Sequence, residues 1–119
     1  MARILIADDA LFMRFTLKRT LTQAGHEVVA ECENGQQAIE KYGEVQPDLV
    51  FLDITMPELD GLSALHAIRE SDDAARVIMC SALGHGNKVR EALDAGARDF
   101  IVKPFTPERI LEAVNKALA

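Results

Sequence analysis

Apolar residues along the chain alternate between short continuous runs and stretches with helical spacing. Continuous runs bounded by polar or turn residues are typical of strands that are covered on both faces of a parallel sheet. Apolar residues that recur every three or four positions are typical of amphipathic helices. Four continuous runs predict strands over residues 3–7, 48–53, 76–81 and 99–102, and a more alternating segment predicts a further strand, nearer an edge, over residues 27–31.

Five helices are predicted to follow these strands, and two of them have clear end signals. The first covers residues 11–24, with Asp9 as a candidate N-cap and Gly25 just past its end. The last begins at Thr106-Pro107-Glu108, which combines an N-cap, a first-turn proline and an acid. The other three helices are built around apolar groups: Ala38, Ile39 and Tyr42; Leu62, Leu65 and Ile68; and Val89, Ala92 and Leu93.

A strand followed by a helix, repeated five times, predicts one α/β domain over residues 1–119. Right-handed crossovers would give a doubly wound five-stranded parallel sheet with helices on both faces. The apolar fraction of 49% is that of a globular protein. No long apolar stripe is expected to remain uncovered, which favours a monomer.

Charge and the remaining composition exclude several functional classes. The formal net charge is −6 and the basic residues are scattered, which argues against a nucleic-acid surface. No apolar run has membrane-spanning length, and the start of the chain leads straight into a strand, so we expect a cytoplasmic protein with no membrane contact. Cys32 and Cys80 lie in apolar runs without metal-ligand spacing and are predicted to be reduced, buried thiols.

Polar residues end four of the five predicted strands. Because parallel strands present their carboxyl ends at one edge of a sheet, we expect these side chains to share a crevice. They are Asp8 and Asp9 after the first strand, Asp53 at the end of the third, Ser81 at the end of the fourth and Lys103 after the fifth.

This set of side chains suits phosphoryl transfer. Carboxylates that are close together repel one another unless a cation joins them, and Mg²⁺, with Mn²⁺ as a substitute, accepts carboxylate and carbonyl oxygens. Asp53 is the best candidate nucleophile because its strand is in the middle of the cluster, whereas Asp8 and Asp9 suit the metal. Lys103 would neutralise phosphoryl charge, and Ser81 would donate a hydrogen bond.

The motifs that carry these residues resemble the receiver domain of bacterial two-component response regulators, over the whole chain. The matching segments are Ile6-Ala7-Asp8-Asp9, Asp53-Ile54-Thr55-Met56-Pro57 with Asp60-Gly61, Ser81-Ala82, and Asp99-Phe100-Ile101-Val102-Lys103-Pro104-Phe105. The resemblance implies a flavodoxin-like sheet with strand order 2-1-3-4-5. It also implies a signalling protein that assists its own phosphorylation and dephosphorylation rather than an enzyme.

The same resemblance assigns roles to individual residues. Asp53 would accept a phosphoryl group from a sensor histidine kinase, and Asp9, Asp53 and the Thr55 backbone carbonyl would bind the metal, with Asp8 supporting it through water. Lys103, before a cis Pro104, would contact the phosphoryl oxygens.

Ser81 and Phe100 match the family's switch positions. Their movement would change the surface of helix four, strand five and helix five, which in chemotaxis regulators binds the flagellar motor switch. A phosphatase is a further candidate partner. Thr55 and Leu83 occupy the positions that modulate self-dephosphorylation, and an apolar Leu83 suggests a long-lived phosphoryl group. Gly84 and Gly86 suggest a mobile loop next to Leu83.

Three alternatives stay open at the level of sequence. The chain could be a receiver module of another pathway, for example one cut from a transcriptional regulator. An aspartyl-phosphate phosphatase usually has a second acid two residues after its nucleophile, where this chain has Thr55. A flavin carrier of the same topology needs a Ser/Thr/Gly-rich loop after the first strand, where this chain has Asp8-Asp9-Ala10. Taken singly, Asp9 could also be no more than a helix cap.

Overall fold

A computed structural model describes residues 1–82 and 86–119, so the expectations for Leu83 and Gly84 lie outside the described residues. Strands and helices alternate five times, as predicted. The strands are β1 (Arg3–Ala7), β2 (Glu27–Cys32), β3 (Leu49–Asp53), β4 (Val77–Ser81) and β5 (Asp99–Val102). The helices are α1 (Leu11–Gln23), α2 (Gly35–Val45), α3 (Gly61–Ser71), α4 (Gly86–Asp94) and α5 (Pro107–Leu118).

The five strands form one parallel sheet in the order β2-β1-β3-β4-β5, which confirms the predicted fold. Every residue of β3 and β4 is buried, in agreement with their continuous apolar sequences. The more polar β2 lies at one edge of the sheet, and only its last residue is buried. The central position of β3 places Asp53 at the middle of the carboxyl edge.

Helices cover both faces of the sheet, and alternate strand residues separate into two apolar clusters. On one face, strand residues such as Leu52 and Met79 pack against α2, α3 and α4. On the other face, strand residues such as Phe51 and Ile78 pack against α1 and α5. Both cysteines are buried free thiols, as expected.

Three of the helices begin with side-chain caps, of which the Thr106 cap was predicted. The side chains of Asn34, Asp60 and Thr106 each accept a hydrogen bond from the backbone N–H three residues later. At the other end of α1, Gly25 has a φ of 91°, a conformation that glycine adopts readily.

The predicted cap of α1 is wrong. The N-cap residue is Ala10, which makes no side-chain cap bond, and Asp9 is exposed at the surface. The reason is local, because the Asp8 carboxylate accepts the Ala10 N–H at 2.9 Å and already holds this turn together. Asp9 is therefore available for a role other than capping.

The outer face of α1 also departs from expectation. Leu17 and Leu21 are buried against the sheet, but Leu11, Phe12 and Phe15 are 71%, 75% and 58% exposed. The expectation that no apolar stripe stays uncovered is wrong, because these side chains lie on the opposite side of the helix from the core positions. Leu93 of α4 is similarly 45% exposed. None of the helices in the described ranges 1–82 and 86–119 is long and apolar enough to cross a membrane.

Candidate functional site

Three carboxylates meet at the carboxyl edge of the sheet. Asp8 and Asp9 follow β1, and Asp53 ends β3, which pairs with β1 along its length. One carboxylate oxygen from each residue lies within 4.8 Å of the others. Asp8 and Asp53 are 1% and 6% exposed, whereas Asp9 faces solvent. The cluster is therefore buried on one side and open on the other.

Lys103 brings a positive charge to this cluster from 95 positions away in the chain. Its Nζ donates to Asp8 Oδ2 at 2.7 Å and lies 3.4 Å from Asp53 Oδ1. The backbone N–H of Lys103 donates to the Ser81 carbonyl at 2.7 Å, which ties the end of β5 to β4. The Lys103–Pro104 peptide bond is cis, as the resemblance implied.

The surroundings of Asp53 disfavour its charged form. The pKa of Asp53 is raised to about 6, chiefly by burial and next by the negative charge of Asp8. Asp9 adds to this effect, and the positive charge of Lys103 opposes it without cancelling it. Burial acts to lower the pKa of Lys103, but its hydrogen bond to Asp8 and the Asp53 charge outweigh burial and hold that pKa above its ordinary value. Among the described residues, one lysine thus faces three carboxylates, and negative charge remains in excess.

The oxygen-rich donor set fits a hard divalent cation. Mg²⁺ binds carboxylate oxygens and retains several waters, so a half-open cluster with excess negative charge suits it. Asp9 and Asp53 would hold the ion, with Asp8 beside them. Thr55, whose carbonyl is the other predicted ligand, is an exposed residue two positions after Asp53.

The segment after β3 is held tightly against α3. The Ile54 N–H donates to the Cys80 carbonyl at 3.0 Å, and the Gly61 N–H donates to the Ile54 carbonyl at 2.7 Å. A Cβ atom on Gly61 would collide with the carbonyl group of Asp53. Glycine at this position allows α3 to begin directly against the backbone of the candidate nucleophile.

The predicted switch residues lie on the neighbouring strands β4 and β5. Ser81 is 1% exposed, and its hydroxyl donates to the Ala82 carbonyl at 3.1 Å. Phe100 is half-buried against the apolar cluster on the α2–α4 face. Its backbone carbonyl accepts a hydrogen bond from Arg109 Nη2 at 3.3 Å, which joins β5 to α5.

One buried residue near the site was not singled out from the sequence. Arg14 of α1 is 7% exposed, and its Nη1 donates to the Asp8 backbone carbonyl at 2.7 Å. A signal for it exists, because Arg14 precedes the buried Leu17 and Leu21 by three and seven positions and so shares their inward face. An arginine on that face requires a buried partner.

Comparison with known proteins agrees with this fold. Residues 4–115 match the response regulator receiver domain, so the chain belongs to the response regulator receiver family. Within that family it is similar to chemotaxis proteins. It is 60% identical to the chemotaxis protein CheY of Bacillus subtilis, over 98% of this chain and 97% of that protein.

Two further relatives show the same similarity. The chemotaxis protein CheY of Thermotoga maritima is 54% identical over 96% of this chain and 95% of that protein. The crystal structure of the CheX-CheY-BeF3-Mg+2 complex from Borrelia burgdorferi contains a chain that matches with a TM-score of 0.95 and 39% identity. That match covers 98% of this chain and 89% of the other. The chain is therefore a CheY-like receiver domain.

Proposed function

We propose that this protein accepts a phosphoryl group on Asp53 from a sensor histidine kinase of the chemotaxis type and signals to the flagellar motor switch. The observation that carries the proposal is the convergence of Asp53, two further carboxylates and Lys103 on one half-open crevice. Family membership and the similarity to chemotaxis proteins support the choice of pathway.

Asp53 is the nucleophile of the proposed transfer. Its carboxylate oxygen attacks phosphorus, the bond between phosphorus and the donor histidine nitrogen breaks, and the freed imidazole takes up a proton from solvent. A pKa of about 6 leaves most of Asp53 ionised above pH 7, as the attack requires. Asp9, Asp53 and the Thr55 carbonyl would hold Mg²⁺, with Asp8 supporting it through water, and the bound ion would supply positive charge against the carboxylates and the phosphoryl oxygens.

Lys103 and Ser81 would bind the transferred group. The Lys103 ammonium group now bonds to Asp8 and lies near Asp53, so a small movement would bring it to a phosphoryl oxygen on Asp53. The Ser81 hydroxyl, which donates to Ala82, would turn to donate to another oxygen. Both groups would be drawn toward Asp53 by the new negative charge.

The signal would leave through the surface formed by α4, β5 and α5. Reorientation of Ser81 would allow the Phe100 side chain to turn inward from its half-buried position. Because Phe100 is part of β5, this rotation would also shift the backbone of that strand. Leu93 and Val102 are 45% and 40% exposed on this surface and offer apolar contact area to a partner. The motor switch protein is the proposed partner there, and a phosphatase would remove the signal.

Mass mapping after treatment with a small phosphodonor tests the chemistry. Incubation with acetyl phosphate and Mg²⁺ is expected to add one phosphoryl group, located on Asp53 by peptide mapping after reduction of the acyl phosphate. Asp53→Asn should abolish the modification. Asp73→Asn, which alters an exposed acid outside the crevice, should not affect it.

Each part of the proposal has an opposing outcome. A label on another residue in the native protein would overturn the site assignment. Equal labelling with and without EDTA would overturn the role of Mg²⁺. Labelling on Asp53 without any change in affinity for the isolated motor switch protein would leave the chemistry intact but contradict the proposed partner.

A further inference from the structure

Arg14 is a buried cation beside the crevice that the proposed chemistry does not use. It lies in the first turn of α1 and is 7% exposed. A buried guanidinium group is costly unless its charge and its donors are satisfied. Its partners therefore indicate what it does.

Those partners lie at the ends of two neighbouring strands. Nη1 donates to the Asp8 backbone carbonyl at 2.7 Å, just beyond the end of β1. Nε lies 3.5 Å from Glu31 Oε1, and Nη2 lies 3.7 Å from Glu33 Oε1, at and just after the end of β2. The two glutamates offset the charge of Arg14, so the short hydrogen bond to Asp8 is its direct link to the crevice.

The Asp8 carbonyl has special importance because it belongs to the peptide unit that leads into Asp9. A peptide unit is planar, so a hydrogen bond that fixes the orientation of the Asp8 carbonyl also fixes the position of the Asp9 Cα. The Asp8 N–H donates to the Cys32 carbonyl at 3.0 Å, and its carboxylate is held by Ala10 and Lys103. Asp9 itself is exposed, and the bond from Arg14 fixes the peptide unit that precedes it.

We propose that Arg14 is a positioning residue that orients Asp9 for Mg²⁺ through the Asp8 carbonyl. This inference rests on the metal site of the proposed function. Groups that orient metal ligands change metal affinity by about 10-fold to 100-fold when removed. Arg14 differs from Lys103 in that it acts on the backbone and has no contact with the reacting oxygens.

The test measures Mg²⁺ binding directly, without phosphorylation. Isothermal titration of the native protein and of Arg14→Ala with MgCl₂ should show affinity about tenfold weaker in the variant. Amide NMR spectra of the same samples should show altered Asp9 and Ala10 signals before metal is added. Arg14→Lys keeps one donor and the charge, and should recover affinity to within about threefold of native.

Matched controls separate positioning from general stability. Glu33→Gln removes an ion pair of Arg14 but leaves its bond to Asp8, and Lys18→Met removes the other cation on Glu31. Both variants should bind Mg²⁺ with the same affinity as the native protein. Urea unfolding of every variant establishes that each is folded under the titration conditions; if Arg14→Ala is not, Arg14→Met takes its place.

The outcomes distinguish this inference from the proposed function. If the native protein binds no Mg²⁺, the metal site itself fails. If the native protein binds Mg²⁺ and a folded Arg14→Ala binds it within twofold as tightly, only the role of Arg14 is overturned. A loss of affinity in Glu33→Gln equal to that in Arg14→Ala would also overturn it, because the ion pairs rather than the carbonyl bond would then be responsible.

Discussion

The local environment of Asp53 disfavours the negative charge of its side chain. It is 6% exposed, and Asp8 is beside it, yet it must be ionised to act as a nucleophile. Lys103 offsets only part of the free-energy cost of ionising Asp53, because its ammonium group also binds Asp8. The metal-free protein therefore retains an unfavourable charge at the carboxyl edge of its sheet, which a divalent cation or a phosphoryl group with its counterions would resolve.

The pH dependence of stability should reveal this conflict. The pKa of Asp53 rises from 3.8 in the unfolded chain to about 6 in the folded protein, so this group lowers stability as pH rises between those values. Without metal, Asp53→Asn should therefore raise the free energy of unfolding by about 2–3 kcal/mol at pH 8, and the gain should shrink toward zero as the pH falls below the unfolded pKa of 3.8. Urea unfolding across this range provides the measurement.

Asp73→Asn is the control for that experiment, because it removes an exposed acid from the surface. Its stability should follow that of the native protein at every pH. A gain for Asp53→Asn that stayed constant from pH 4 to pH 8 would contradict the raised pKa.

At the scale of elements, the junction between β3 and α3 determines where Asp53 lies. Gly61 begins α3 directly against the Asp53 carbonyl, with its own N–H bonded to Ile54. The Asp60 side chain caps the same helix by accepting the Ser63 N–H at 2.8 Å. The start of α3 and the candidate nucleophile thus lie in one short segment. A substitution that moves the first turn of α3 is therefore expected to move Asp53 as well.

Alanine at Gly61 should be severely disruptive for this reason. The new Cβ would overlap the Asp53 carbonyl, and the rigid strand cannot move aside, so we expect a loss of about 2–4 kcal/mol in unfolding free energy. Phosphorylation of the folded fraction by a small phosphodonor should also slow. Thermal or urea unfolding and a labelling time course provide the two measurements.

Gly43 is the matched control, since it is also helical but has open space where a Cβ would be placed. Gly43→Ala should stabilise the protein by about 0.5–1 kcal/mol, because alanine favours the helix. If the two alanine variants had equal stability, the close approach of α3 to Asp53 would be refuted.

The elements also show where sequence patterns succeed and fail. The buried strands β3 and β4 were predictable because every position is apolar up to the polar residue at the end. The caps Asn34 and Thr106 were predictable because capping depends on residues close in sequence. Asp9 failed as a cap because α1 begins one residue later, with Ala10 at the cap position, after a turn in which the Asp8 carboxylate accepts the Ala10 N–H.

At the scale of the whole molecule, the site is a link between distant parts of the fold. Lys103 bonds to Asp8 across the sheet, and Asp53 lies between their strands. A ligand that binds this edge only in the folded state must stabilise the entire domain by mass action. Metal binding should therefore be visible as a change in global unfolding.

Mg²⁺ should raise the melting temperature of the native protein. At a concentration ten times the dissociation constant, the gain is about 1.4 kcal/mol, or roughly 5 °C for a domain of this size. Asp9→Asn should abolish most of the shift because it removes a proposed ligand. Differential scanning calorimetry at pH 7.5 provides the measurement, with NaCl at equal ionic strength as the reference. An equal shift in NaCl would indicate screening rather than a site.

The sequence by itself determined the order of elements, the parallel sheet and the polar residues at the strand ends. These follow from periodicity and turn chemistry, which act over a few residues. Only the tertiary structure decided that Lys103 bonds to Asp8, that Arg14 holds the Asp8 carbonyl and that Phe12 and Phe15 stay exposed. The physical reason is that a side chain's partners depend on which elements pack beside it, and that packing is a property of the whole fold.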